Sequence, residues 1–537
     1  MMRRHLFTEV FKRLKVENRF RSLIKCTAFV LAAIFCIRCA VGIMVPKNYT
    51  REWLSPVPTY GGLYDLDKNT ADVLFLGSSH TYAGFCPQVL YDEYGITSYN
   101  LGMGNQNLVL NYFWLKEALR TQSPSVVVLE CIFAFERFHN PSNTSESACQ
   151  KSLNYMHWTR NRIDAIRALC EIEPESYEWE SFIPNIRYHD RWKELHEEDF
   201  TAGEIAKRSG LMGYTAAFRY YCNIEDYRPY DPDREKTDAA EMVPAMKEYM
   251  ERIADLCREK KIRLILTLTP STDATLSKHA AIQAFANEQG VEFFDFNTAE
   301  VIEQMQYDFK TDNADEEHSS VWGAQKVTHR LGMYLTDPKS SAGPAASANP
   351  ADGANSEIGA SAVLQPHEDP QWENTRNYYE GKMRDAALMH IKDIHAYLPA
   401  LADDRYSVFL SVRGDASSAV DERIAVALQD LGLREDIRDL GGDSYFAVID
   451  GGHVLLEERG SEEIYSTGSI RDGKTLFSIG SGGSTGDDNG GFSSIMLDDA
   501  EYSVDKPGIN FVVVSNESVS ILDKVCFDTG KTLEASR

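Results

Sequence analysis

The chain has 537 residues, more than one ordinary domain needs, and its formal net charge is −26. Such an acidic chain argues against nucleic acid as a partner, because the phosphate backbone attracts positively charged surfaces. The length predicts two or three domains.

The N-terminus combines a basic segment with an apolar run. Residues 1–25 carry eight Lys and Arg against two Glu, and residues 26–45 are almost wholly apolar apart from Arg38. Twenty helical residues just cross the hydrocarbon core of a bilayer. By the positive-inside rule, residues 1–25 are cytoplasmic and the rest of the chain is extracellular. We therefore expect an uncleaved single-pass anchor in the cell membrane. The alternative is a cleaved signal peptide, although no small-x-small cleavage site follows the run.

From residue 71 to about 336, short apolar runs alternate with amphipathic segments. The strand candidates are 72–77, 97–101, 125–130, 262–268 and 291–296, and the helix candidates include 106–121, 240–259 and 275–288. Strands separated by helices predict an α/β fold with a parallel sheet covered on both faces. Residues 137–235 interrupt this alternation and are rich in Tyr, Trp, Arg and His. We expect a helical insertion there.

The chain changes character after residue 336. Residues 337–370 are dominated by Ala, Ser, Gly, Pro and Asn without apolar periodicity, which predicts a disordered linker. Helical spacing of apolar residues predicts one helix over 372–398. Beyond residue 405 the pattern predicts a β-rich domain, with strands at 406–412, 445–449, 453–456, 475–479 and 510–514.

A serine follows the first strand candidate. The sequence Leu76-Gly77-Ser78-Ser79-His80 comes directly after an apolar run. A serine at the carboxyl end of a parallel strand lies where α/β sheets bind ligands, and a helix beginning there favours developing negative charge. We predict that Ser79 is a nucleophile. The alternative is a plain strand-to-helix turn with a capping serine.

Asp315 and His318 precede the last helix candidate of this domain. On a turn, a three-residue spacing lets the carboxylate reach the imidazole ring, fix its tautomer and stabilise the imidazolium. Together with Ser79, the pair predicts a Ser-His-Asp catalytic triad. The alternative is a solvated acidic loop, since Asp312, Glu316 and Glu317 crowd around Asp315.

The segments LFLGSSHTYAGF, SYNLGMGNQN and DEEHSSVWGAQKV resemble blocks I, II and V of the SGNH/GDSL hydrolase superfamily, over residues 71–336. The resemblance implies a three-layer, flavodoxin-like domain. It implies Ser79 as the nucleophile, His318 as the general base and Asp315 as its orienting carboxylate. It also implies a backbone donor to the oxyanion at Gly104 or Asn105.

One block departs from the superfamily. Its Gly-x-Asn-Asp after the third strand is replaced by ECIFAF at 130–135, so the oxyanion Asn is missing there. Losing one such donor costs about 100- to 1000-fold in rate.

The chain resembles instead the divergent membrane-anchored members that acylate envelope glycans beside a multi-spanning membrane-bound O-acyltransferase. This implies O-acetylation of an envelope or exported polysaccharide. The alternatives are a carbohydrate acetyl esterase and an inactive scaffold displaying a glycan-binding domain.

Two further segments suggest carbohydrate. His189 and Arg191 lie in a stretch dense in charged and aromatic residues that could bind a sugar, the alternative being a helix with Trp192 anchored in the core. Residues 372–530 resemble the interleukin-like EMT inducer domain in FLSVRGDAS, FSSIMLDDAEYSVDKPGINFVVVS and DKVCFDT. That resemblance implies a compact β-sandwich that binds glycan. The alternative is a spacer or protein-contact domain.

Cofactors are not expected. The ten cysteines are scattered without zinc spacing or a dense disulfide framework, which leaves one or two extracellular bridges open. The acidic stretch 487–491 lacks the alternating ligand positions of an EF-hand loop. We therefore expect neither a metal ion nor an organic cofactor.

Overall fold

The computed structural model describes residues 2–45, 57–136, 148–174, 177–195, 199–200, 210–216, 224, 227–336, 371–471, 473, 475–483, 490–517 and 520–537. The predicted linker at 337–370, much of the insertion and the acidic residues 484–489 lie outside this part of the chain. The nine cysteines that it contains are all unbonded.

The chain begins with a long helix, α1, at Met2–Met44. Its residues Arg21–Met44 have a mean hydropathy of 2.2, and none of this stretch is buried. Twenty-four helical residues extend about 36 Å, enough to cross a hydrocarbon core of about 30 Å. Within the described residues, α1 is the one helix long and apolar enough to span a membrane.

Five parallel strands follow and confirm the predicted α/β fold class. They are β1 (Val73–Leu76), β2 (Ser98–Asn100), β3 (Val126–Glu130), β4 (Arg263–Leu268) and β5 (Glu292–Asp295). Their order in the sheet is β2-β1-β3-β4-β5. In such doubly wound sheets, ligands bind beyond the carboxyl ends of the strands where the order reverses, here between β1 and β3.

Helices surround this sheet. They are α2 (Ser79–Gly84), α3 (Pro87–Tyr94), α4 (Leu108–Ala118), α5 (Ala148–Tyr155), α6 (Arg160–Ile172), α7 (Pro244–Lys260), α8 (Leu276–Gln289), α9 (Ala299–Met305) and α10 (Val321–Thr336). Single helical turns occur at Gly62–Asp65, Trp179–Phe182, Pro184–Arg187 and His189–Lys193.

Alternate residues of each strand enter different cores. Leu74 and Leu76 of β1 lie in a core with α4 and α7, whereas Val73 and Phe75 lie in a core with α3 and α10. Successive side chains of a strand point to opposite faces of the sheet, so the sheet is covered on both sides. The domain therefore has three layers.

The second part of the chain begins with two helices rather than one. The predicted helix over 372–398 is divided into α11 (Gln371–Leu388) and α12 (Ile394–Ala400). Asp393 starts the second helix, because its side chain accepts a hydrogen bond from the backbone nitrogen of His395 at 3.0 Å. Such a cap satisfies a backbone donor that the helix itself leaves unpaired.

One further helix, α13 (Glu422–Asp430), and ten strands complete this part. The strands are β6 (Tyr406–Arg413), β7 (Ser444–Asp450), β8 (His453–Gly460), β9 (Ile464–Ile470), β10 (Thr475–Gly482), β11 (Phe492–Leu497), β12 (Ala500–Glu501), β13 (Gly508–Ser515), β14 (Ile521–Phe527) and β15 (Ala535–Ser536). The β-rich character is confirmed, although β9, β11, β12, β14, β15 and α13 had not been predicted.

The ten strands form one continuous sheet, whereas a sandwich of two separate sheets had been expected. One edge of β6 pairs with β13; its other edge pairs with β7 over residues 407–411 and with β10 at Arg413. The sheet therefore branches at β6 and curls. Apolar residues are buried on both faces, Leu410 with α12 and α13 on one and Phe409 on the other.

Helix α11 contacts both parts of the chain. Trp372 stacks on Tyr91 of α3 with ring centroids 4.8 Å apart, and Arg376 forms an ion pair with Asp92 at 2.8 Å. Towards the other end of α11, the Tyr406 hydroxyl of β6 donates to Asp385 at 2.8 Å. The two parts are thus joined by packing as well as by the chain.

Candidate active site

A tight turn connects β1 to α2. Gly77 has φ of +150°, and a Cβ atom there would lie 2.0 Å from the Thr81 hydroxyl oxygen and 2.9 Å from Cβ of Glu130. Its backbone nitrogen donates to the side chain of Asn111 at 3.0 Å. This close approach from two sides explains why the turn requires glycine.

The two serines of the turn have different environments. Ser78 caps α2, since its hydroxyl accepts a hydrogen bond from the backbone nitrogen of His80 at 3.4 Å. Ser79 is the first residue of the helix and is 8% exposed. The capping role therefore belongs to Ser78, which leaves Ser79 as the candidate nucleophile.

Asp315 and His318 form a hydrogen-bonded pair. The ring Nδ1 of His318 lies 2.9 Å and 3.0 Å from the two carboxylate oxygens of Asp315. Burial raises the pKa of Asp315, but hydrogen bonds from His318 and from backbone amides outweigh it and lower the pKa below its usual value. The carboxylate is thus ionised at neutral pH and can orient the ring and stabilise its charged form.

The loop that carries this pair is held against the sheet. The backbone nitrogen of Ala314 donates to the carbonyl of His318 at 2.9 Å, which closes the turn. The backbone nitrogen of Thr272, in the loop after β4, donates to the carbonyl of Glu316 at 2.9 Å. The pair is therefore fixed near the carboxyl ends of the strands.

The His318 ring lies beside the nucleophile turn. Its centroid is 5.4 Å from the ring centroid of His80, the residue after Ser79. The structure thus brings the Asp315–His318 pair to the start of α2, where the sequence predicts Ser79 as the nucleophile. Side chains from two distant segments meet at the point where the strand order reverses.

His80 is a buried histidine for which we predicted no role. It is 4% exposed, and burial, reinforced by the neighbouring His318, lowers its pKa to about 3. Its Nδ1 atom is buried without a hydrogen-bond partner among the described residues. His80 is therefore neutral, and its uncharged ring lies beside the ring of His318.

Glu130 ends β3 on the other side of the turn. The residue is 1% exposed, and burial raises its pKa to about 8. One carboxyl oxygen accepts from the backbone nitrogen of Ile132 at 3.2 Å, and the other is buried without a partner within the described part of the chain. A protonated carboxyl thus occupies the end of β3, next to the turn. Burial is the only cause that raises this pKa, and the burial of Glu130 could not be predicted from the sequence.

The loop after β2 also reaches the turn. Gly102 approaches most closely, since a Cβ atom there would lie 2.6 Å from the carbonyl oxygen of Ser78. Its own N–H donates to the side chain of Asn100 at 2.9 Å. Gly104 faces the Tyr82 hydroxyl of α2, and Asn105 is exposed with φ of +56°. Gly104 and Asn105 therefore belong to a loop that packs beside α2.

His189 and Arg191 have other neighbours. Arg191 forms an ion pair with Asp199 at 2.8 Å and donates to the carbonyl oxygen of Met44 at 3.0 Å, at the end of α1. The ring of His189 is exposed and contacts the carbonyl oxygen of Ile186 at 2.6 Å. Trp192 is 61% exposed, so the alternative of a core-anchored Trp192 is wrong.

No family model matches the chain, and no curated protein matches it. The functional argument therefore rests on the geometry around Ser79, Asp315 and His318.

Proposed function

We propose that this chain is a membrane-anchored serine acyltransferase of SGNH type that O-acetylates an envelope or exported polysaccharide. The observation that carries the proposal is the hydrogen-bonded Asp315–His318 pair, held beside the helix that begins with Ser79. The parallel sheet order and the position of this cluster at the strand ends support it.

The proposed reaction has two acyl transfers. The Ser79 hydroxyl attacks the acyl carbonyl of the donor while His318 takes its proton, and the donor's leaving group departs with that proton. His318 then removes a proton from a sugar hydroxyl, whose oxygen attacks the acyl-serine; the bond from the acyl carbon to Ser79 breaks, and His318 gives the proton back to the serine oxygen. Asp315 stabilises the imidazolium in both steps through Nδ1. The backbone N–H of Ser79 and one backbone N–H of the loop, at Gly104 or Asn105, would bind the oxyanion.

The anchor gives this chemistry a location. With α1 in the membrane and its basic flank in the cytoplasm, both folded parts lie outside the cell. An acyl donor would then be delivered across the bilayer by a multi-spanning O-acyltransferase. A reporter that is active only outside the cell, fused after residue 370, should work, and one fused after residue 20 should not. The reverse pattern would remove the extracellular assignment.

The C-terminal part supports a glycan as the acceptor. The Tyr465 side chain is 63% exposed, and its ring stacks on that of Phe492 with centroids 5.2 Å apart. Gly480 lies beneath both rings, since a Cβ atom there would lie 2.8 Å from one and 3.0 Å from the other. Exposed flat aromatic faces suit the apolar faces of sugar rings. Tyr465→Ala should therefore reduce retention on polysaccharide, whereas Val426→Ser, at another exposed apolar position, should not.

Labelling with a serine-directed fluorophosphonate tests the enzyme claim. The wild type should be labelled at Ser79, identified by mass spectrometry of the peptide spanning 71–90, and Ser79→Ala should not. Label on Ser78 would move the nucleophile by one residue. Absence of label on the wild type, together with no acetyl release from model esters, would favour an inactive scaffold that displays the C-terminal domain.

A second measurement separates transfer from hydrolysis. With an activated acetyl ester and an oligosaccharide present, a transferase forms acetylated sugar, whereas a carbohydrate esterase forms acetate by using water in place of the sugar hydroxyl. We expect acetylated sugar to exceed acetate, and Ser79→Ala to abolish both. Acetate alone would select the esterase.

A further inference from the structure

Arg191, in the segment between the third and fourth strands, binds the C-terminal end of α1. The guanidinium group of Arg191 donates to the carbonyl oxygens of Ile43 and Met44, at 3.4 Å and 3.0 Å. The same group donates to both oxygens of Asp199, at 2.8 Å and 2.9 Å. The last carbonyls of a helix lack partners within the helix, and a cation there is favourable. Arg191 therefore connects α1 to the folded domain.

Exposed apolar side chains are frequent in the part of the sequence that includes Arg191 and Asp199. Among the described residues outside α1, six of the eleven exposed large apolar side chains lie between 158 and 200: Trp158, Ile163, Trp179, Ile186, Trp192 and Phe200. The two most exposed of these are Trp192 at 61% and Phe200 at 62%. They directly follow Arg191 and Asp199 in the chain, the two members of the ion pair that holds α1.

The length of α1 fixes the depth of this contact. The apolar stretch Arg21–Met44 is about 36 Å long, a few ångströms more than a hydrocarbon core of about 30 Å. A helix of this length that spans the core places its last turn in the interfacial layer. The segments Pro184–Arg187 and His189–Lys193, which contact α1, must then lie at the same depth.

We propose that Ile186, Trp192 and Phe200 form a membrane-docking surface that enters the outer interfacial layer of the bilayer spanned by α1. Tryptophan prefers this layer because its ring is apolar and its N–H is polar. Between Ile186 and Phe200 the three basic residues, Arg187, Arg191 and Lys193, are outnumbered by five acidic residues, Asp190, Glu194, Glu197, Glu198 and Asp199. The surface therefore binds zwitterionic lipid and needs no anionic headgroup.

This docking surface extends the proposed function, on whose membrane anchor it rests. One helix alone leaves a domain free to tilt about its anchor. A second attachment beside the helix restricts that tilt and holds the carboxyl ends of the strands, with Ser79, at a constant orientation to the bilayer.

Depth-dependent fluorescence quenching tests the docking surface. The full chain is placed in phosphatidylcholine nanodiscs that contain lipids brominated near the glycerol or near the methyl end of the acyl chain. Trp53, which lies outside the described residues, is replaced by Phe in every protein. We expect shallow bromines to quench more tryptophan fluorescence than deep ones. Trp192→Phe should remove most of that quenched fraction, and Trp322→Phe, a tryptophan of α10, should leave it unchanged.

The outcomes distinguish the docking surface from the anchor. If the protein stays with the discs but Trp192→Phe leaves quenching unchanged, the anchor stands and the docking surface is refuted; a protein partner would then be the occupant to seek. If the protein does not stay with the discs, both fail. Arg191→Ala is an independent test. Loss of the hydrogen bonds from Arg191 to α1 should reduce quenching by shallow bromines while the protein remains in the discs. Unchanged quenching in Arg191→Ala would show that the contact of Arg191 with α1 does not position the docking surface.

Discussion

Oδ1 of Asp315 contacts His318 twice: it lies 2.9 Å from the ring Nδ1 and 2.8 Å from the main-chain nitrogen of the same residue. The same oxygen also accepts from the backbone nitrogen of Glu317 at 2.9 Å. One carboxylate thus fixes both the conformation of the turn and the orientation of the ring. Removing it should affect chemistry more than folding, because the Asp315 side chain is 45% exposed.

Asp315→Asn should lower turnover by about 10⁴-fold, and His318→Ala by about 10⁶-fold, because the imidazolium loses its stabilising charge in the first case and the base is absent in the second. Single-turnover kinetics with a model acetyl ester measures both. Glu316→Gln, on the same loop, is the matched control and should retain wild-type turnover. Losses in the Ser79, His318 and Asp315 variants should not add, since the residues act as a unit. Additive losses would contradict a shared mechanism.

Ser78→Ala and Ser79→Ala should have opposite effects. Loss of the Ser78 cap should cost about 1 kcal/mol of stability and spare fluorophosphonate labelling, because that hydroxyl only accepts a hydrogen bond from His80. Loss of Ser79 should abolish labelling with little change in melting temperature. Calorimetry and labelling of the same samples separate the two roles. A labelled Ser79→Ala protein would assign the nucleophile to Ser78.

Glu130 should make the protein less stable as pH rises. Its pKa is about 8 in the folded chain against an ordinary value of 4.5. Between these values the unfolded chain releases a proton that the folded chain retains, so the free energy of unfolding falls, by on the order of 5 kcal/mol in all. Below pH 4.5 both states are protonated and the effect disappears.

Glu130→Gln tests this linkage, because an amide keeps the shape and cannot ionise. Its melting temperature should fall less between pH 5 and pH 8 than that of the wild type. Glu303→Gln, at an exposed position on α9, should keep the wild-type pH dependence. Equal slopes for wild type and Glu130→Gln would show that Glu130 is ionised in the folded protein.

Cleavage in the predicted linker should leave two fragments that remain associated. A protease that cuts between residues 337 and 370 separates the chains, but the contact of Trp372 with Tyr91 and of Arg376 with Asp92 persists. Trp372 is 2% exposed, so Trp372→Ala should weaken the contact by about 3–5 kcal/mol and let the fragments separate on gel filtration. Glu380→Gln, exposed on the same helix, should leave them together. Separation of the wild-type fragments would mean that the linker alone joins the two parts.

Several elements of this protein could be predicted from local sequence patterns alone. The five strands of the parallel sheet were predictable because each is a short apolar run between polar or turn residues, and such runs form buried strands in any α/β protein. The Asp315–His318 contact was equally predictable, since three residues on one turn bring the two side chains together. The long helix α1 followed from twenty nearly uniform apolar residues.

Other features depended on residues far apart in the chain. The proximity of His80 to His318, the raised pKa of Glu130 and the contact of Arg191 with α1 each require two or more segments to meet in the folded protein. The branching of the second sheet at β6 could not be predicted from the sequence for the same reason, because β6 pairs with different strands along its length. The sequence by itself thus determined the strands of the parallel sheet, the long apolar helix and the candidate catalytic residues, whose signals are local. Only the tertiary structure decided which side chains are buried together, because burial and charge at a site are set by neighbours that local spacing does not specify.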